Sequence, residues 1–399
     1  MLEKLFRYEK QLLQNCKLSY KRYLYKFLKQ DDKLQAIVGA RGTGKTVLLL
    51  QFTKSLKRKF KSHEVLYMTL DFPFLSNINL FDFCENFVQQ GGKYLLIDEI
   101  HKYRDFSIHL KAIYDFHHDL NIIITGSCAT SIINASADLS RRITLYHLNG
   151  LSFREFLAIN NKIAQNTISL DNIIEHHQEI SKDICGQIDV QTQYNKYIKF
   201  GYYPFYFDKQ QNYLSALLET VNLTLDIDLV TLGLIEQKYT YKLKKLLEVV
   251  CQSNPFEINL SRIASQAEIS RVKLYDYLSH LEKGEMICLV EQNVKGLKKI
   301  SKPEKLFLNN TNLLHAFCDD FKIGTLRETF FVNQLRQSHN IKAAKTGDFI
   351  IDDKFTIEVG GKNKGFKQIN GIENAYLAID TMTTEHDKKI PLWLFGLLY

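Results

Sequence analysis

The sequence predicts an α/β protein built on a parallel sheet, with a run of helices after it and a second α/β layer towards its C-terminal end. Three observations carry this. A glycine-rich octapeptide lies between an apolar run and a helix-like segment, an apolar strand ends in two acids, and a third apolar strand carries hydroxyls at its tip. Parallel strands buried on both faces read as unbroken apolar runs, and ligands gather at their C-terminal ends.

The first run, Leu34-Gln-Ala-Ile-Val38, leads into Gly39, Ala40, Arg41, Gly42, Thr43, Gly44, Lys45 and Thr46, and then into Val47-Leu-Leu-Leu50. This is the G-x-x-x-x-G-K-[ST] phosphate loop in a strand-to-helix setting. Its glycines let backbone N–H groups and a helix N-terminus converge on an anion. The pattern predicts ATP and Mg2+ as cofactors, with Lys45 on the β- and γ-phosphates and the Thr46 hydroxyl on the metal.

Tyr94-Leu-Leu-Ile-Asp-Glu-Ile100 reads as the partner strand, a Walker B motif. Asp98 is the expected magnesium ligand, and Glu99 the base that orients and deprotonates the attacking water. The third strand, Asn121-Ile-Ile-Ile-Thr125, precedes Gly126-Ser127. Thr125 and Ser127 are either sensors of the γ-phosphate or parts of a turn chosen for its backbone. In the additional-strand class of phosphate-loop ATPases such a strand lies between the loop strand and the Walker B strand. Arg141 and Arg142 stand before a further strand; either supplies transition-state charge as an arginine finger, or both are surface residues.

With these pieces in order, residues 34–160 resemble the AAA-superfamily ATPases of bacteria and archaea, in particular a group related to the signal-transduction STAND ATPases. The resemblance rests on the loop, on Leu-Leu-Ile-Asp-Glu-Ile-His-Lys (95–102), on Ile-Thr-Gly-Ser (124–127) and on the Leu-Ser-Arg-Arg and Leu-Ser-Phe-Arg-Glu-Phe-Leu phrases of 139–157. It implies that Arg142 holds the arginine position of the family's Gly-Arg pair, with Arg141 where glycine is usual. It also implies a winged-helix segment and a C-terminal domain like a degenerate restriction endonuclease.

The chain has 399 residues, 45% hydrophobic and 24% charged, enough for two or three ordinary globular domains. The seven cysteines form no C-x-x-C pair, which predicts reduced core thiols rather than a disulfide framework or a zinc site. No stretch approaches the roughly 20 apolar residues that cross a bilayer, and the first residues lack a signal-peptide core, so the reading is cytoplasmic, without a membrane partner. The net charge of +8 favours a polyanion such as DNA, with a protein partner as the alternative; the oligomeric state is left open.

Residues 1–160 are thus read as the ATPase core with an N-terminal helix. Residues 161–240 show helical periodicity and are read as a lid. Within 241–305, a turn at Glu268-Ile-Ser270 separates two short helices, a winged helix-turn-helix pattern in which Arg271, Lys273 and Tyr277 are the candidate nucleic-acid contacts. Packing between domains is the other use of such a unit. In 306–399, Leu326–Leu335 reads as a helix and 347–351, 355–359 and 375–379 as strands. Glu328, Asp348, Glu358 and Lys362 resemble the acids and lysine of the restriction-endonuclease-like fold, where acids hold magnesium and the lysine aligns water. Three residues rather than one separate Glu358 from Lys362. A domain of this shape that cleaves nothing is therefore the alternative to a metal-dependent nuclease.

Overall fold

Five short apolar runs form one parallel sheet: β1 (Leu34–Val38), β2 (Val65–Thr69), β3 (Tyr94–Asp98), β4 (Asn121–Gly126) and β5 (Thr144–His147). The computed structural model describes residues 1–16, 20–75, 77–126, 139, 141–160, 162–163, 166–252, 259–292 and 303–399. The strand order is β2-β3-β4-β1-β5, so β4 lies between the loop strand and the strand that carries Asp98, as the additional-strand class requires. The edge strand β2 was not among the predicted elements.

Helices α1 (Leu2–Asn15), α2 (Lys45–Leu56), α3 (Leu80–Gln89) and α4 (Phe106–Phe116) cover the sheet. Leu34, Ala36 and Val38 of β1 join one apolar cluster and Ile37 the other, the two-residue alternation of a strand buried on both faces. Helix α1 is fixed by a buried charge: Glu9 accepts the Tyr67 N–H at 3.0 Å and pairs with Lys57 at 2.9 Å.

The chain divides into two compact units, Met1–Gly150 and Leu151–Tyr399. The division falls ten residues before the boundary expected at 160. The segment read as a lid is built into the same unit as everything that follows it. There α5 (Phe153–Ile159), α6 (Leu170–Gln187), α7 (Val190–Phe200) and α8 (Tyr213–Leu223) precede α9 (Thr240–Gln252), α10 (Leu260–Gln266) and α11 (Arg271–Lys283). The antiparallel pair β6 (Ile287–Val290) and β7 (Lys305–Leu308) follows. Helices α12 (Thr311–Phe317) and α13 (Ile323–Leu335) lead into a second sheet of β8 (Ile341–Ala343), β9 (Phe349–Ile351), β10 (Phe355–Gly361), β11 (Ala375–Asp380) and β12 (Lys389–Pro391). Its order is β12-β11-β10-β9-β8, with β8–β10 antiparallel and β10–β12 parallel.

Aromatic packing explains why 151–200 belongs to this unit. The Phe153, Tyr194 and Tyr197 rings meet Phe330 of α13 or one another at 5.0 to 6.1 Å. Buried Asn312 accepts the Tyr202 N–H at 2.8 Å and donates to the Tyr197 and Ile198 carbonyls, satisfying the helix end at α7. One expectation is corrected here. Cys251 at the end of α9 and Cys318 after α12 form a disulfide, their Cα atoms 5.5 Å apart, although 67 residues separate them in sequence. Spacing along the chain cannot reveal a pairing that only packing of α9 near α12 creates. Among the described residues, no helix is long and apolar enough to cross a membrane.

Candidate functional site

The phosphate loop joins β1 to α2 at the C-terminal edge of the first sheet. Gly39 has φ +151°, and a Cβ there would lie 2.2 Å from the Leu148 carbonyl oxygen, so only glycine fits. Lys45 is buried and its Nζ donates to the Gly39 and Ala40 carbonyls, both at 2.8 Å. Thr43 is buried, its hydroxyl donating to Ala40 at 2.9 Å, whereas Thr46 and Val47 at the head of α2 are exposed. Arg41, Gly42 and Gly44 complete the loop.

The acids stand beside it. The Thr46 hydroxyl donates to Asp98 Oδ2 at 2.7 Å, and the Tyr67 hydroxyl of β2 donates to the same oxygen at 3.0 Å. Burial, with the Asp98 carboxylate next to it, raises the Tyr67 phenol far above its ordinary range, which keeps it a donor. Thr125 at the tip of β4 donates to Asp98 Oδ1 and accepts the Glu99 N–H at 3.1 Å. Glu99 adopts φ +58°, a left-handed conformation that a non-glycine residue holds only where its surroundings impose it. Its carboxylate lies 3.3 Å from His101 Nδ1. Lys45, Thr46, Asp98, Glu99 and Thr125 are therefore brought together, and two hard oxygens, from Thr46 and Asp98, converge in a way that suits Mg2+.

Two residues of this centre were not anticipated. One is Tyr67. The other is Arg22, buried, whose guanidinium donates to the carbonyls of Thr43 at 2.6 Å, Asn149 at 2.7 Å and Gly150 at 2.9 Å. It ties the phosphate loop to the last residues of the first unit. Neither carries a local signal, because each acts through a contact dozens of residues away.

Arg142 forms a two-point pair with Asp115 of α4 at 3.0 and 3.2 Å, next to the Tyr114 ring, and Arg141 is exposed. This ion pair directs the Arg142 guanidinium to α4. Ser127 lies outside the described residues.

In the second unit α11 buries Leu274, Tyr277, Leu278 and Leu281, an i, i+3, i+4, i+7 stripe. Tyr277 is thus a core residue and not a contact. The exposed face carries Arg271, Val272, Lys273 and Tyr275. Lys273 lies over the Tyr239 ring at 5.2 Å.

Glu328 of α13, Asp348 before β9 and Glu358 of β10 are all buried and come together. Lys362 does not join them: it is exposed, because the chain turns out of β10 after Gly361 and strand alternation ends there. Two other lysines do. Lys305 of β7, itself buried, pairs with Glu328 at 3.1 Å and Asp348 at 3.0 Å, and Lys364 pairs with Glu358 Oε1 at 2.5 Å. Burial pushes the Glu328 carboxyl up to about 7 despite Lys305, with Asp348 and Glu358 adding to the rise.

Comparison with known proteins bears on both units. Residues 31–157 match the family model of an AAA domain, and residues 191–324 match that of a domain of unknown function, DUF8612. An uncharacterized protein of Methanocaldococcus jannaschii is 27% identical over 379 residues, spanning 86% of this chain and 79% of its own. An uncharacterized protein of Haemophilus influenzae is 24% identical over 360 residues, spanning 84% and 83%. Among solved structures, AMPPCP-bound DnaA from Aquifex aeolicus is similar with a TM-score of 0.25 and 15% identity, over 71% of this chain and 91% of that one. The AAA match and the strand order agree: the first unit has a phosphate-loop NTPase fold similar to that of AAA ATPases.

Proposed function

We propose that the chain is a magnesium-dependent ATPase whose nucleotide state acts on its second unit. The observation that carries this is the 2.7 Å bond between Thr46 and Asp98, which joins the head of the phosphate-loop helix to the acid of the neighbouring strand system. Thr46 and Asp98 would hold Mg2+, which when bound supplies charge neutralisation for the phosphates. Lys45 turns from the Gly39 and Ala40 carbonyls to the β- and γ-phosphates of ATP, and the loop N–H groups from Gly39 to Val47 orient them. Glu99 takes the proton of the attacking water, and Thr125 fixes both acids. Arg142, or Arg141 beside it, meets the leaving charge when the Asp115 pair opens or when a second copy supplies the residue.

Arg22 supports a route from nucleotide to second unit, since one guanidinium grips both the loop at Thr43 and the chain at Asn149 and Gly150. The partner we assign to the second unit is DNA, on the exposed Arg271, Lys273 and Tyr275 face of α11, where cation and ring alternate as phosphate and base contacts do. The acidic cluster at Glu328, Asp348 and Glu358 favours a domain that does not cleave, because a lysine already sits between two of its acids.

ATP binding and hydrolysis by the full chain test this reading. Lys45→Ala should abolish binding, and Asp98→Asn should keep binding while losing magnesium-dependent turnover. Undiminished hydrolysis in Asp98→Asn would overturn it. DNA affinity of the same protein across a salt series should fall steeply as salt rises; a flat response would remove DNA as the partner.

A further inference from the structure

We infer that Glu9 of α1 is a positioning residue for the Asp98 carboxylate, acting through Tyr67 at the edge of the first sheet. The inference rests on the ATPase reading, and all of its residues lie in the first unit.

Strand β2 is hydrogen-bonded to β3 on one side and ends the sheet on the other. An open edge presents a row of backbone groups that a further strand could claim. Here two side chains take them. Glu9 Oε1 accepts the Tyr67 N–H at 3.0 Å, and Lys57 Nζ donates to the Val65 carbonyl at 2.7 Å. Glu9 Oε2 and Lys57 Nζ close the arrangement at 2.9 Å. Helices α1 and α2 thus stand in for a further strand through one ion pair.

The course of the Tyr67 side chain makes the pair more than an edge cover. Tyr67 is opposite Leu96 in the β2–β3 register, two residues before Asp98, so its ring lies on the same face of the sheet as the acid. An aromatic side chain is long enough to reach a neighbour at that diagonal. Its hydroxyl arrives 3.0 Å from Asp98 Oδ2. Tyr67 is 2% exposed and burial keeps its phenol protonated, so the bond has one direction, from tyrosine to acid.

One residue is therefore held at both ends, its N–H by Glu9 and its hydroxyl on Asp98. Asp98 Oδ2 has a second donor in Thr46, at 2.7 Å, and Oδ1 takes the Thr125 hydroxyl. Thr46 gives up its bond when its own hydroxyl oxygen serves the metal. Tyr67 then remains as the donor that keeps Oδ2 aimed, and groups that hold a ligating carboxylate commonly set metal affinity or activity by about 10- to 100-fold. Releasing the Tyr67 N–H lets β2 shift at an edge with no strand beyond it among the described residues, and a shift of about 1 Å opens a 3.0 Å hydrogen bond. A carboxylate that only anchored α1 would change stability and leave Asp98 alone.

The test is the Mg2+ dependence of ATP turnover by the full chain, together with Mn2+ binding in the presence of the non-hydrolysable analogue AMPPCP, read by electron paramagnetic resonance. Tyr67→Phe, which keeps the ring and loses the hydroxyl, should raise the half-saturating Mg2+ and the Mn2+ dissociation constant about tenfold. Glu9→Ala should do the same. Glu9→Gln, which keeps an acceptor for the Tyr67 N–H, should restore both values to within about threefold of the parent. Because Glu9 acts through Tyr67, Glu9→Ala/Tyr67→Phe should be no worse than Tyr67→Phe alone. Glu9→Met/Lys57→Met removes both charges together and is the second variant should Glu9→Ala not fold. Losses that multiply in the Glu9→Ala/Tyr67→Phe variant, equal losses in Glu9→Gln and Glu9→Ala, or single variants that match an active parent would each overturn the inference and leave the ATPase reading standing. A parent that neither hydrolyses ATP nor binds Mn2+ with AMPPCP would remove the ATPase reading itself, and the inference with it.

Discussion

The Thr125 hydroxyl accepts the Glu99 N–H at 3.1 Å and donates to the Asp98 carboxylate, so one side chain from the neighbouring strand sets both acids at the end of β3. The bond holds Glu99 in its left-handed backbone conformation, which costs about 1 to 3 kcal/mol when unsupported.

Thr125→Val keeps the shape and removes the hydroxyl, and we expect turnover to fall about 10- to 100-fold with ATP affinity nearly unchanged. Thr125→Ser should restore most of the rate. Glu99→Gln should bind ATP normally and lose about 10²- to 10⁴-fold in rate. Steady-state kinetics with a separate binding assay distinguish these outcomes; equal losses in binding and rate would mean that Thr125 only supports the fold.

Arg22→Ala leaves the Thr43, Asn149 and Gly150 carbonyls without their buried donor, and should destabilise the first unit by about 3 kcal/mol. Lysine is not an adequate replacement, since a point charge cannot reach three carbonyls with the fork of a guanidinium. Urea unfolding of the full chain followed by ATP affinity of the folded fraction checks both parts. A stability change below about 0.5 kcal/mol would show that the staple is dispensable.

Arg22 also marks the limit of what the sequence makes legible. The loop from Gly39 to Thr46 and the acids Asp98 and Glu99 are contiguous phrases at strand ends, and their geometry follows from local rules. Tyr67 and Arg22 reach the same centre through sheet order and a 127-residue contact, which no local pattern encodes. On α11 the sequence singled out Tyr277 with Arg271 and Lys273 as contacts, yet Tyr277 is buried, because the apolar stripe runs with it through Leu274, Leu278 and Leu281. Beside Glu358 the resemblance pointed to Lys362, yet the chain turns after Gly361 and Lys364 arrives instead. Lys305 was beyond reach altogether, since it lies 23 residues from the nearest acid it pairs with.

Protonation of two histidines should destabilise the second unit in acid. His280 and His315 are both held below the ordinary imidazole range, first by burial and then by a neighbouring ammonium, Lys283 and Lys199 respectively. His280 Nδ1 is buried without a hydrogen-bond partner. With the folded pKa below the unfolded value of about 6.5, the unfolded chain binds more protons just below that pH, so stability falls as pH drops through it. Denaturant midpoints measured between pH 7.5 and 5 should decline, and the double variant His280→Gln/His315→Gln should flatten the slope. A slope unchanged by the double variant would assign the pH response to other groups.

The Cys251–Cys318 disulfide closes a loop of 67 residues, from the end of α9 through α10, α11 and the β6–β7 pair to the end of α12. A crosslink of that span restricts the unfolded chain, which the loop-closure relation values at about 4 kcal/mol. Reduction should therefore lower the unfolding midpoint of the second unit while leaving the first unit's transition in place, because Cys16 and Cys84 there are already free thiols. Calorimetry of the full chain with and without dithiothreitol reads this directly, and Cys318→Ser should make the profile insensitive to reductant. Peptide mapping under non-reducing conditions supplies the covalent check: a fragment joining Cys251 to Cys318 is expected, and recovery of both as alkylated monomers from unreduced protein would remove the crosslink from the account.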